Sequence, residues 1–149
     1  MNEKNRSGTV IVPFKGNAND DEVVHQAAMI AKRNRSTLYV VYVVVVKQEL
    51  ALESELPAEI AAGEAALTQA NRIAHEYGVQ IETGILQARS AGVAIVEEAL
   101  ERKATLIMMS VTYRSRRGEF NMGQTVPYIL KNAPCRVWLF RDEIYKEQI

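Results

Sequence analysis

Apolar positions along the chain switch repeatedly between two rhythms. Thr9 to Phe14, TVIVPF, is a short apolar run bounded by Gly8 and by Lys15-Gly16, and it predicts a buried strand. The next stretch, NANDDEVVHQAAMIAKRNR, changes period: Val23, Ala27, Ile30 and Ala31 recur at helical spacing. Asn19 or Asp20 is expected to cap that helix. Acidic residues fill its first turn, and Lys32, Arg33 and Arg35 gather at its end, as the helix dipole favours. Thr37 to Val46, TLYVVYVVVV, is dense in β-branched and aromatic residues and predicts a central strand buried on both faces.

KQELALESELP reads as a loop, and Pro57 opens a second helix expected to reach about Tyr77, where Gly78 stops it. Its inward positions are Ile60, Ala61, Leu67, Ala70, Ile73 and Ala74. Val79 to Leu86 alternates apolar with polar residues, the mark of a more exposed strand at a sheet edge. Ala91 to Lys103 predicts a helix through Val93, Ile95, Val96, Ala99 and Leu100, and Ala104 to Met109 a fourth strand. Gly123 to Lys131 predicts a short helix with Pro127 in its first turns, and Arg136 to Phe140 a fifth strand.

Strands that alternate with helices imply an α/β fold with a parallel sheet covered on both faces. Right-handed crossovers favour a doubly wound, five-stranded sheet of order 3-2-1-4-5. The first and fourth strands then lie side by side, and ligands bind beyond their C-terminal ends. Those ends are Pro13-Phe14-Lys15-Gly16 and the stretch SVTYRSRRGEFNMGQT, Ser110 to Thr125.

Composition narrows the function. The 149 residues suit a single domain, its core about 9–141 and its two tails polar. Acidic and basic residues balance at 18 each, so a protein built to coat nucleic acid is not expected. Cys135, the sole cysteine, reads as a buried inert thiol, and one cysteine with two distant histidines makes no metal cluster. The polar start MNEKNRSG is unlike a signal peptide, and the longest apolar run, Leu38 to Val46, is too short to cross a bilayer. A cytoplasmic protein without direct membrane insertion is expected.

Phosphate chemistry needs converging donors. Gly123 opens a helix, Gln124 and Thr125 add side-chain donors, and Arg114, Arg116 and Arg117 can add charge-assisted bonds. A solvated loop with outward arginines is the plain alternative. No GxGxxG, GxxxxGK[ST] or GxSxG occurs, and neither His25 nor His75 has an evident partner. The acidic pairs Asp20-Asp21 and Glu97-Glu98 read as helix-surface charges. No catalytic residue is assigned, and nucleotide hydrolysis lacks a base and a metal-binding carboxylate at the crevice.

The first strand IVPF, the fourth strand ATLIMMS and the C-terminal GQTVPYILKNAPCRVWLFR, with NAPCRV its most specific part, resemble the universal stress protein family over about residues 9 to 141. ELPAEI, ILQARSAG and RRGEFNMGQTVPYILKNAPCRVW are closer to the branch also found fused behind amino-acid permeases. The resemblance implies a dimeric, cytosolic, Rossmann-like regulatory domain, in a family where many members bind ATP and others do not. ATP binders place an aspartate where this chain has Lys15. They also carry a Gly-x-x-Gly, nine-residue, Gly-Ser/Thr loop, where this chain has Ser110, Tyr113, Gly123 and Gln124. One of the three motif glycines is kept, and the loop is richer in arginine instead.

The nucleotide site so implied comprises Pro13, Phe14, Lys15 and Val43, then Met109, Ser110, Tyr113, Arg114, Arg116 and Arg117, then Gly123, Gln124 and Thr125. ATP, AMP and a cyclic nucleotide are the candidate ligands. The fifth strand, an exposed apolar edge, is expected to join a homodimer through Arg136, Val137, Trp138, Leu139 and Phe140. Two readings stay open: a nucleotide-sensing module, or a dimeric interaction module that binds no nucleotide and regulates a membrane transporter in trans or another partner.

Overall fold

Side chains alternate across each strand, and that alternation builds two cores. The computed structural model describes residues 8–111, 115–116, 119–120 and 122–142, the four between 111 and 122 by backbone alone. On one face Val10, Val12, Leu38, Val40, Leu106 and Met108 pack against helices α1 (Ala18–Asn34) and α2 (Pro57–His75). On the other, Ile11, Tyr39, Val41, Val43, Ile107, Met109 and Val111 pack against α3 (Ala91–Glu101) and α4 (Thr125–Asn132). A strand apolar on both sides satisfies both layers, which is why β1 (Thr9–Pro13), β2 (Thr37–Val45) and β4 (Leu106–Val111) read as unbroken apolar runs.

The sheet is parallel, and its order is β3-β2-β1-β4-β7, with β3 (Ile81–Ala88) and β7 (Arg136–Arg141) at the edges. This is the expected 3-2-1-4-5 winding, since β7 is the fifth strand of the sequence pattern. The unforeseen elements are β5 (Ser115–Arg116) and β6 (Glu119–Phe120), an antiparallel pair too short for any periodicity to announce.

Strand pairing is uneven, and that places the site. β1 stays paired with β2 up to Pro13↔Val41, and β4 with β7 up to Val111↔Arg141. Between β1 and β4, however, the ladder holds only Val10↔Leu106 and Ile11↔Ile107. Beyond Ile11 the two central strands are no longer paired, and a crevice opens at the switch point.

Several local expectations are corrected. The N-cap of α1 is Asn17, not Asn19 or Asp20: the Asn17 side chain accepts the Asp20 N–H at 2.8 Å, and the helix begins at Ala18, two residues ahead of the acidic run. Ala61 is exposed, and the buried face of α2 runs through Gly63, Ala66, Leu67, Ala70, Ile73 and Ala74. Leu100, expected to be inward, is 59% exposed, since Ala99 occupies the inward position beside it. His25 does have a partner: its Nδ1 lies 2.6 Å from the Tyr77 hydroxyl, and the two rings meet edge to face. His75 is exposed at the end of α2. Cys135 is half-buried rather than buried because it lies just outside the edge strand; desolvation still pushes its thiol pKa up.

Candidate functional site

The crevice is a cleft of about 270 Å³, just below the usual range for small-molecule sites. Its floor is apolar. Pro13 and Phe14 come from the end of β1, Val41 and Val43 from one face of β2, Met109 and Val111 from β4, and Ile95 and Val126 from α3 and α4. Its rim is polar: Lys15, Asn17 and Asp20 on the β1 side, Ser110 on β4, and Gln124 and Thr125 at the start of α4. An apolar wall beside a polar rim suits a ligand with a ring at one end and polar groups at the other.

Asp20 dominates the β1 side. It is the third residue of α1, and it points inward with Val23, Val24, Ala27 and Ala31, leaving it only 4% exposed. One carboxylate oxygen, Oδ2, accepts the backbone N–H groups of Lys15 at 2.7 Å and Gly16 at 3.2 Å. The other, Oδ1, accepts the Ser110 hydroxyl. The carboxylate therefore fastens the end of β1 to β4 where their backbone ladder has ended. Its place in the first turn of α1 adds the helix dipole to these bonds. The neighbouring Asn19 amide donates to the carbonyls of Phe140 at 3.0 Å and Val111 at 3.4 Å, tying the same turn to β7 and β4.

The expectation that Asp20-Asp21 and Glu97-Glu98 are surface charges is thus overturned for Asp20. Glu98 is also no plain surface charge. It is half-buried, accepts the Tyr39 hydroxyl at 2.8 Å, and neighbours Arg102, whose guanidinium lies 3.4 Å from the centre of the Tyr39 ring. A signal for Asp20 was available: it stands three and four residues before Val23 and Val24, on the buried stripe of α1.

The far rim is set by one glycine. Gly123 has φ +73, a left-handed backbone that side chains rarely adopt, and among the described residues no atom beyond its chain neighbours lies within 4 Å of where its Cβ would be. Two residues later α4 begins, with Gln124 as an N-cap whose side chain makes no capping bond. Gly123 was expected to open the helix itself; it provides instead the turn that leads into it.

Of the residues expected at a nucleotide site, Pro13, Phe14, Lys15, Val43, Met109, Ser110, Gly123, Gln124 and Thr125 all line this cleft. Arg116 is seen only as backbone in β5, and Tyr113, Arg114 and Arg117 lie outside the described residues. Sequence reasoning missed Asn17, Asp20, Val41, Ala91, Ile95, Val111, Met122 and Val126. Val41 could have been found, because strand alternation puts it on the same face as Val43. The five residues of the expected dimer contact all lie in the edge strand β7, where Trp138 is 44% and Leu139 36% exposed.

Among the described residues, no group of three or more His, Cys, Asp or Glu side chains could hold a metal ion, and no helix is long and apolar enough to cross a membrane.

Comparison with known proteins places this architecture. A universal stress protein of Methanocaldococcus jannaschii is 31% identical over 142 residues, covering 91% of this chain and 83% of that protein. A universal stress protein structure from Archaeoglobus fulgidus matches with a TM-score of 0.76 at 21% identity, covering 89% of this chain and 98% of the other. A structure of the universal stress protein from the same organism in complex with dAMP matches with a TM-score of 0.71 at 18% identity, covering 91% and 98%. The sequence pattern of the Universal stress protein family matches residues 7–141. With the switch-point cleft and the 3-2-1-4-5 sheet, these matches establish that the chain belongs to the universal stress protein family.

Proposed function

We propose that this chain is a regulatory sensor that holds an adenine nucleotide, or a related phosphate-bearing anion, in the switch-point cleft without turning it over. The observation that carries this reading is the division of the cleft. An apolar wall of Val41, Val43 and Met109 faces a polar rim that ends at Gly123, whose left-handed backbone makes the turn into the start of α4. The relative solved with dAMP has the same fold, which supports an adenine nucleotide as the first ligand to test. Asp20 does not argue for turnover, because both its oxygens are engaged by the chain's own donors. ATP, AMP and cyclic AMP are the candidates, and the protein acts in the cytoplasm as a homodimer joined along β7.

The test is direct. Protein purified from cells is denatured, and the released material is examined by absorbance and mass spectrometry. Calorimetry and thermal melting with ATP, AMP and cyclic AMP follow. A bound ligand stabilises the fold by RT ln(1 + [L]/Kd). No released nucleotide, and no melting shift with any of the three at millimolar concentration, would rule the sensor out.

A second reading has its own observation. The exposed Trp138 and Leu139 on the edge strand of the described sheet suit a module that works through protein contacts alone. In that reading the chain binds no nucleotide and regulates a transporter in trans, in keeping with its likeness to the permease-fused branch. Co-purification with a membrane transporter, unchanged by added nucleotide, would favour it.

A further inference from the structure

Resting on the nucleotide reading, we propose that the Asp20 carboxylate is a built-in anion, which occupies the amide donors of the β1–α1 turn and confines a bound phosphate to the opposite rim at Gly123–Thr125. Two successive backbone N–H groups before a helix are what a phosphate oxygen would take. Here Lys15 and Gly16 already give theirs to Oδ2, at 2.7 and 3.2 Å. Oδ1 is held by the Ser110 hydroxyl, so the carboxylate cannot swing aside without losing a bond to β4. At 4% exposure it is poorly screened by water, and its charge forms part of the cleft wall.

An anion approaching the β1 side therefore meets filled donors and like charge together. Lys15 does not reverse this, because its ammonium is on an exposed side chain while Asp20 is fixed and buried. Asp20 is in this sense a specificity residue. It favours ligands whose negative charge lies at one end, such as a mononucleotide with its ring on the apolar wall. It disfavours ligands that present phosphates to both walls, such as a dinucleotide.

The test uses amide resonances of the full-length protein. Inorganic phosphate is titrated into isotopically labelled wild type, Asp20→Ala and Asp20→Ser. Alanine suits the helix, and serine keeps a hydroxyl for Ser110 while being too short to fill both amides. Lys15 and Gly16 should stay unmoved in wild type and shift saturably in both variants, with phosphate binding there about tenfold tighter or more, the worth of one charged hydrogen bond. The proposal is overturned if phosphate moves these two amides equally in wild type, or moves neither in a variant whose remaining spectrum is native. AMP is titrated separately. If AMP moves no cleft resonance of wild type, the nucleotide reading fails, while the phosphate result at Lys15 and Gly16 still decides the role of Asp20.

Discussion

The Tyr39 hydroxyl donates to Glu98 Oε1 at 2.8 Å, from a ring that is 1% exposed. Burial, then the Glu98 hydrogen bond and charge, push the Tyr39 pKa from its ordinary value of 10.0 up to about 12; Arg102 pulls against them. The folded value lies above the unfolded one, so the stabilisation is complete below pH 10. It is lost as pH rises to about 12, where the unfolded chain ionises and the folded one resists. The expected loss across that window is roughly 2 kcal/mol. Denaturant melts should show it in wild type. Tyr39→Phe should be about 1 kcal/mol less stable at neutral pH and should lose that part of the alkaline decline.

Gly84 sits in the edge strand β3 because the Tyr39 phenol takes the space a side chain would need: a Cβ there would be 2.2 Å from the hydroxyl oxygen. Gly84→Ala should cost about 1–3 kcal/mol by overpacking. Combined with Tyr39→Phe it should cost less than the sum of the two, by roughly 1 kcal/mol, because the clashing oxygen is gone. Strict additivity in chemical denaturation would show that Tyr39 is not the constraint on Gly84.

At Gly123 the constraint is conformational: its φ is +73, and a Cβ would meet nothing among the described residues. Gly123→Val should cost about 1–2 kcal/mol for a left-handed backbone, and Gly123→Asn distinctly less. Under the sensor reading, Gly123→Val also loses the melting shift with AMP while Gly123→Asn keeps most of it. Equal melting temperatures for the two variants would refute the conformational argument.

The β7 edge predicts an assembly. Light scattering at micromolar concentration should give twice the chain mass for wild type and the single-chain mass for Trp138→Glu, which puts a charge on an exposed aromatic position of that edge. A monomeric wild type would sink the pairing through Arg136, Val137, Trp138, Leu139 and Phe140.

The sheet was legible because its strands are apolar on both faces. TVIVPF, TLYVVYVVVV and ATLIMM can bury both sides only inside a layered α/β sheet, and the winding rule then fixed their order. The cleft floor followed from that order. Asp20 lies on the apolar stripe of α1, but an acidic residue in a helix's first turn has an ordinary explanation in the dipole, and its partner Ser110 is visible only in three dimensions. The Tyr39–Glu98 contact was hidden for a similar reason: its residues are 59 positions apart and join different layers. Pattern reading sees periodicity within an element, and these bonds run between elements.

The ladder between β1 and β4 stops at Ile11↔Ile107, and two consecutive side chains of α1 take over beyond it. Asn19 reaches Val111 and Phe140, while Asp20 reaches Lys15, Gly16 and Ser110. Each residue added to or removed from a helix turns everything after it by about 100°. A one-residue insertion or deletion between Asn17 and Asn19 would therefore turn both side chains relative to the cap that starts the helix, and neither could keep its partners without shifting that start. Length variation in this short segment is far less tolerable than in the loop between β2 and α2.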